Sequence, residues 1–76
     1  MKLVLEKIRS IRIDKGYSQE YMADKLNISQ AKYSRLENGT TEFTISLLGE
    51  LIPLLEIHPK EIVIFSDEIK KIMKEN

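Results

Sequence analysis

The 76-residue chain contains no cysteine. That excludes a disulfide framework and a thiolate metal site, and makes a reducing cytoplasm the expected compartment. Nor is there a run of about 18 apolar residues, so no membrane span is expected. The opening MKLVLEKIRS carries a charge every few positions and lacks the apolar stretch of a signal peptide. Neither sign of charge is in excess, since twelve Lys and Arg balance twelve Asp and Glu. Histidine occurs once, as His58 before Pro59, and reads as structural. Glu56 and Glu61 beside it read as a solvated face. No nucleophile–base pair, glycine-rich phosphate loop or metal-ligand cluster is present, so neither catalysis nor a bound metal or cofactor is expected. Repeats, low-complexity tracts and linkers are missing too.

What remains is a single small domain, near the lower limit for unaided folding. Its 42% apolar content suffices for a compact helical core. The zero net charge hides an asymmetry. Residues 1–41 hold eight Lys/Arg and five Asp/Glu, a balance of +3, while residues 42–76 hold four and seven, a balance of −3.

The positive half contains SQEYMADKLNISQAKYSRLENG, residues 18–39. Ser18 caps a first helix, with Glu20 near the positive end of its dipole. Met22, Ala23 and Leu26 recur at helical spacing and define an inward stripe. Ala23 is small enough to let a second helix cross closely. Asn27 tolerates the left-handed turn that must follow, and Ile28 plugs the core. Ser29 caps a second helix, Gln30 to Asn38, with Tyr33 and Leu36 inward and Gly39 as its terminator. Two short helices joined by a tight turn make a helix-turn-helix, whose second helix enters the major groove of DNA. Its outward residues are Gln30, Ala31, Lys32, Ser34 and Arg35. Gln suits the adenine edge, Arg and Lys suit guanine, and Ala accepts a thymine methyl.

These residues carry a family likeness. From about Ile8 to Ile62 the chain resembles the Cro and phage lambda repressor type of helix-turn-helix regulator. The matching residues are Arg12, Gly16-Tyr17, Ser18-Gln19-Glu20, Met22-Ala23, Leu26, Ile28-Ser29 and Tyr33-Ser34-Arg35-Leu36-Glu37-Asn38-Gly39. They continue through Thr44, Leu48, Leu51, Leu55, Ile57 and Ile62. Asn27, Met22, Phe43 and Ile52 stand where glycine, leucine, proline and alanine are usual.

The resemblance implies an all-α, compact five-helix domain over residues 1–65, with residues 66–76 as a short sixth helix or tail. It implies base contacts from Gln30, Ala31, Lys32 and Arg35. Backbone contacts would come from Gln19, Ser29, Ser34, Asn38, Thr40 and Thr41. It also implies a buried ion pair between Arg12 and Glu37. The sequence supports that pair independently: Leu5, Ile8 and Arg12 share a helical stripe, and an inward charge needs a partner.

The rest of the chain completes the expectation. A first helix is predicted from about Lys2 to Lys15, ending at Gly16. Thr44 caps a fourth helix, Ile45 to about Leu55, which Pro53 should kink or end early. His58-Pro59 opens a short fifth helix. Ile62-Val63-Ile64-Phe65 is an apolar run too long to hide wholly in so small a domain. Ile62, Ile64, Phe65 and Ile69 are therefore a candidate dimer surface, unless the tail folds back over them.

The expected function is a transcriptional regulator of bacterial or phage type, cytoplasmic and associated with the nucleoid. It would act as a homodimer, repressing from an inverted repeat in double-stranded DNA. The alternative is an antitoxin-like module that binds a protein partner as well as DNA.

Overall fold

The computed structural model describes residues 2–64. In chain order these form strand β1 (Lys2–Leu3) and helices α1 (Leu5–Asp14), α2 (Gln19–Leu26), α3 (Gln30–Asn38) and α4 (Ile45–Leu55). A 3-10 turn (Pro59–Glu61) and strand β2 (Val63–Ile64) follow.

Each helix boundary has a local cause. The Oγ of Ser18 accepts the Tyr21 N–H at 2.9 Å, that of Ser29 accepts the Lys32 N–H at 3.0 Å, and Thr44 Oγ1 accepts the Leu47 N–H at 3.0 Å. These bonds satisfy donors that a first turn cannot satisfy itself. Asn27 (φ 57°) and Gly39 (φ 86°) end α2 and α3 in the left-handed region. Glu56 does the same after α4 at φ 54°, without the freedom of glycine. The Ile57 N–H then returns to the Ile52 carbonyl at 3.2 Å, a helix-closing bond that holds the strained residue in place.

Four α-helices form among the described residues, not five. Only three residues separate the His58 cap from Ile62, and Ile62 is drawn into the core at 0% exposure. One 3-10 turn is all that fits. It is capped at both ends of a reciprocal pair: His58 Nδ1 accepts the Lys60 N–H, and Glu61 Oε2 accepts the His58 N–H. The chain then leaves as a strand, pairing antiparallel with β1 in the register Lys2 to Ile64 and Leu3 to Val63.

The same pairing corrects the first helix, which starts at Leu5 rather than Lys2. Residues 2–3 are committed to the ribbon, and the Val4 N–H donates to the Ile62 carbonyl at 2.7 Å. Pro53 does not stop α4, which continues to Leu55. The carbonyl that loses its partner belongs to Gly49, which is exposed and open to water.

The core is one cluster. Ile8 of α1, Met22 and Leu26 of α2, Tyr33 and Leu36 of α3, and Leu51 and Leu55 of α4 meet there with Ile62. Ala23 is buried where α2 and α3 pack, as a small residue at a crossing should be. The burial of Ile62 removes it from the candidate dimer surface. Ile64 lies in β2, while Phe65, Ile69 and the expected helix 66–76 lie outside the described residues. No helix of the described residues is long and apolar enough to cross a membrane.

Candidate nucleic-acid interface

Three residues tie the recognition unit together. Arg12 Nε donates to Glu37 Oε2 and Arg12 Nη2 to Glu37 Oε1, both at 2.9 Å. Arg12 Nη1 donates to the Tyr17 carbonyl at 2.8 Å. The guanidinium thus joins α1, the α1–α2 turn and the last turn of α3. The two side chains are 9% and 3% exposed. A fork of parallel N–H donors on a carboxylate in such surroundings is among the stronger polar contacts available.

Electrostatics follow the geometry. Burial alone would push the Glu37 carboxyl up. The Arg12 hydrogen bonds and charge reverse this, with help from Tyr33 and Gln19, and hold it below the usual carboxylate range. The Glu37 hydrogen bonds in turn raise Arg12, against its own burial. Burial raises the Tyr33 phenol, so it stays neutral. The Tyr33 hydroxyl is buried without a hydrogen-bond partner among the described residues.

The face above this anchor carries the expected DNA-contacting residues. Gln30, Ala31, Lys32 and Arg35 of α3 are all exposed, and Ser34 is half-buried. Ser29 is exposed, and its oxygen is already accepting the Lys32 N–H, so its hydroxyl proton is available to an acceptor. The N–H groups of Gln30 and Ala31 have no partner among the described residues. They point positive dipole ends out of the helix start, the natural seat of an anion.

The end of α3 is organised by Asn38. Its Oδ1 accepts the Thr40 N–H at 2.9 Å and the Thr40 hydroxyl at 2.6 Å. The acceptor end of the amide is therefore spoken for, and its two N–H donors are left to face outward. Thr40 serves here by holding Asn38, with both of its polar hydrogens engaged. Thr41 is half-buried, and its N–H closes back on the Arg35 carbonyl at 3.1 Å. Gln19 is half-buried at the first position of α2.

Some contributors are invisible to sequence reasoning. The Tyr17 carbonyl is the third partner of Arg12, and no side-chain pattern marks a carbonyl. Tyr17 and Tyr21 stack with ring centroids 4.4 Å apart, and Lys25 Nζ lies 5.5 Å from the Tyr21 centroid. The four-residue spacing of 17, 21 and 25 is the signal that would have found this column. Glu20 and Asp24 flank Gln30 across a shallow groove, which places negative charge beside the start of α3. Among the described residues no cluster of potential metal ligands occurs.

The Helix-turn-helix family profile matches residues 8–62. A curated relative is the SPbeta prophage-derived uncharacterized HTH-type transcriptional regulator YonR of Bacillus subtilis (strain 168). It is 36% identical over 52 residues, which cover 68% of this chain and 48% of the relative. The chain thus spans about half the length of the curated relative it matches. Among solved structures, the restriction-modification controller protein C.AhdI from Aeromonas hydrophila superposes with a TM-score of 0.69 at 26% identity. That match covers 76% of this chain and 88% of the controller. A tyrosine mutant of the restriction-modification controller C.Esp1396I gives 0.66 at 33% identity, covering 96% and 92%. Matched through both motif helices and their flanks, the chain belongs to the helix-turn-helix family of DNA-binding transcriptional regulators, of the Cro and lambda repressor type.

Proposed function

We propose that the protein represses transcription as a homodimer on an inverted-repeat operator. The observation that carries this reading is the outward row Gln30, Ala31, Lys32 and Arg35 on a capped helix, held from behind by the buried Arg12–Glu37 pair. Gln30 and Arg35 read adenine and guanine edges, Ala31 meets a thymine methyl, and Lys32 reaches a base or a phosphate. Gln19, Ser29, Ser34, Asn38 and Thr41 hold the phosphates, with Thr40 fixing Asn38. The site is cytoplasmic, at the nucleoid.

Dimerisation is part of the reading because one short helix covers too few base pairs to specify an operator. Two recognition helices about 34 Å apart would read half-sites about 10 bp apart. Ile64, Phe65 and Ile69 remain the proposed contact. The likeness to two restriction-modification controllers supports a regulator built on this domain.

Repeated selection from randomised duplex DNA at about 150 mM salt tests the proposal under conditions where non-specific binding is weak. An enriched inverted repeat is the expected result. A pool that stays random would overturn specific readout by this chain alone, and a single unpaired half-site would overturn the dimer.

A further inference from the structure

β1, the first residue of α1, the α3–α4 loop and the start of α4 line an open groove of about 400 Å3. Its surface is mainly apolar, from Leu5, Phe43, Ile45 and Leu48, with Lys2 and Glu42 as its charged members. Ile45 is 73% exposed, while Leu5 and Phe43 are partly buried and Leu48 joins the core. The exposed isoleucine is thus the outer edge of a continuous apolar surface, which marks a contact as a lone exposed side chain does not. Lys2 and Glu42 are exposed, and neither is in an ion pair with another described residue.

The described residues end beside this groove. Ile64 pairs with Lys2, so residues 65–76 continue from its rim. In that segment Ile69, Ile72 and Met73 recur at i, i+3 and i+4, the spacing of one helical face. Asp67 and Glu68 precede the row, and Lys70, Lys71 and Lys74 accompany it.

We infer that the groove receives residues 69–73 of a second copy of this chain. The inference rests on the homodimer proposed above, whose contact includes Ile64 and Ile69. Ile69, Ile72 and Met73 share a face, so the surface that covers the first covers the row. A two-fold axis beside Ile64 sets the partner's residue 65 next to Lys2, at the rim. The acidic residues of the incoming segment then meet Lys2, and its lysines meet Glu42, a match of opposite charges that fixes orientation. The contact is mutual: each copy gives one apolar row and takes one.

Cross-linking of the full chain tests this cleanly, because it has no cysteine of its own. On mild oxidation, a mixture of Ile45→Cys and Ile72→Cys chains should give a covalent dimer with one of each. A double variant that closes on itself as a monomer, with no mixed dimer, would place the chain's own segment in the groove and overturn the inference. No cross-link of either kind would also overturn it. Sedimentation gives a second readout. Ile45→Asp puts an acid in the first turn of α4, where the helix dipole favours it, so the fold should survive with an unchanged urea midpoint. Dimer affinity should fall at least about tenfold. A wild type that dimerises no better than this variant overturns the groove contact and leaves the homodimer standing. If the wild type is monomeric at every concentration tested, the homodimer falls, and the inference with it.

Discussion

Arg12 shows what one buried charge demands. It spends three donors on two partners, Glu37 and the Tyr17 carbonyl, and is 8% exposed. Removing Glu37 leaves the cation with a single carbonyl. Glu37→Ala should therefore cost about 3–5 kcal/mol in chemical denaturation. A loss under about 1 kcal/mol would contradict the buried pair. The pair also sets an acid limit. Folding holds the Glu37 carboxyl below its ordinary value of 4.5, so the folded state binds this proton less readily than the unfolded chain. The stabilisation is complete above pH 4.5 and is lost as pH falls through the lower folded value. A pH series of urea midpoints should show this loss in the wild type and not in Glu37→Gln.

At the scale of the element, α3 is a helix whose two ends do different work. Its start presents free N–H groups, and its end is locked by Gly39 at φ 86°, where an added Cβ would meet Leu5 Cδ1 at 3.1 Å. Gly39→Ala should cost about 1–2 kcal/mol, mostly from the left-handed backbone, because the leucine tip can give way. Thermal unfolding checks this, and an unchanged midpoint would mean the turn re-forms another way. The proposed readout residues lie along α3. Gln30→Ala and Arg35→Ala should each cost about 1–3 kcal/mol on a selected operator and relax preference at one position. Equal losses on specific and random duplexes would reassign both residues to phosphate contact.

Over the whole molecule, the ends of the described chain meet. β1 pairs with β2, Val4 bonds Ile62, and Ile62 seals the core beneath them. Ile62→Ala should cost about 2–5 kcal/mol, the range for a buried leucine or isoleucine truncated to alanine. An effect under about 0.5 kcal/mol, typical of surface positions, would return Ile62 to the surface. Charge is also a whole-molecule property. With zero net charge, steering toward DNA is weak, and few cations stand on the reading face. If Lys32 of each of two protomers supplies the phosphate neutralisation, log affinity should fall with log salt at a slope of about −2. A slope near −10 would require many more phosphate contacts than this face offers.

The helix-turn-helix was legible in the sequence because its signals are local. Ser18, Asn27, Ser29, Thr44 and Gly39 act within three or four residues of themselves, and each caps or turns the backbone where its chemistry allows. The Arg12–Glu37 pair was legible for another reason: Arg12 shares an inward stripe with Leu5 and Ile8, so its charge needs a partner, and the family likeness pointed to Glu37. The ribbon was not legible, since Lys2–Leu3 and Val63–Ile64 have no strand signal until the fold brings them together. The fifth helix failed for the same reason, because burying Ile62 and pairing Val63 left only one turn of chain. By itself the sequence determined where the chain turns and which face of α3 reads outward, both set by short-range backbone chemistry. Only the tertiary structure decided where Ile62 goes and that the Tyr33 hydroxyl lies unpaired beside Glu37, because those depend on which distant surfaces compete for the same space.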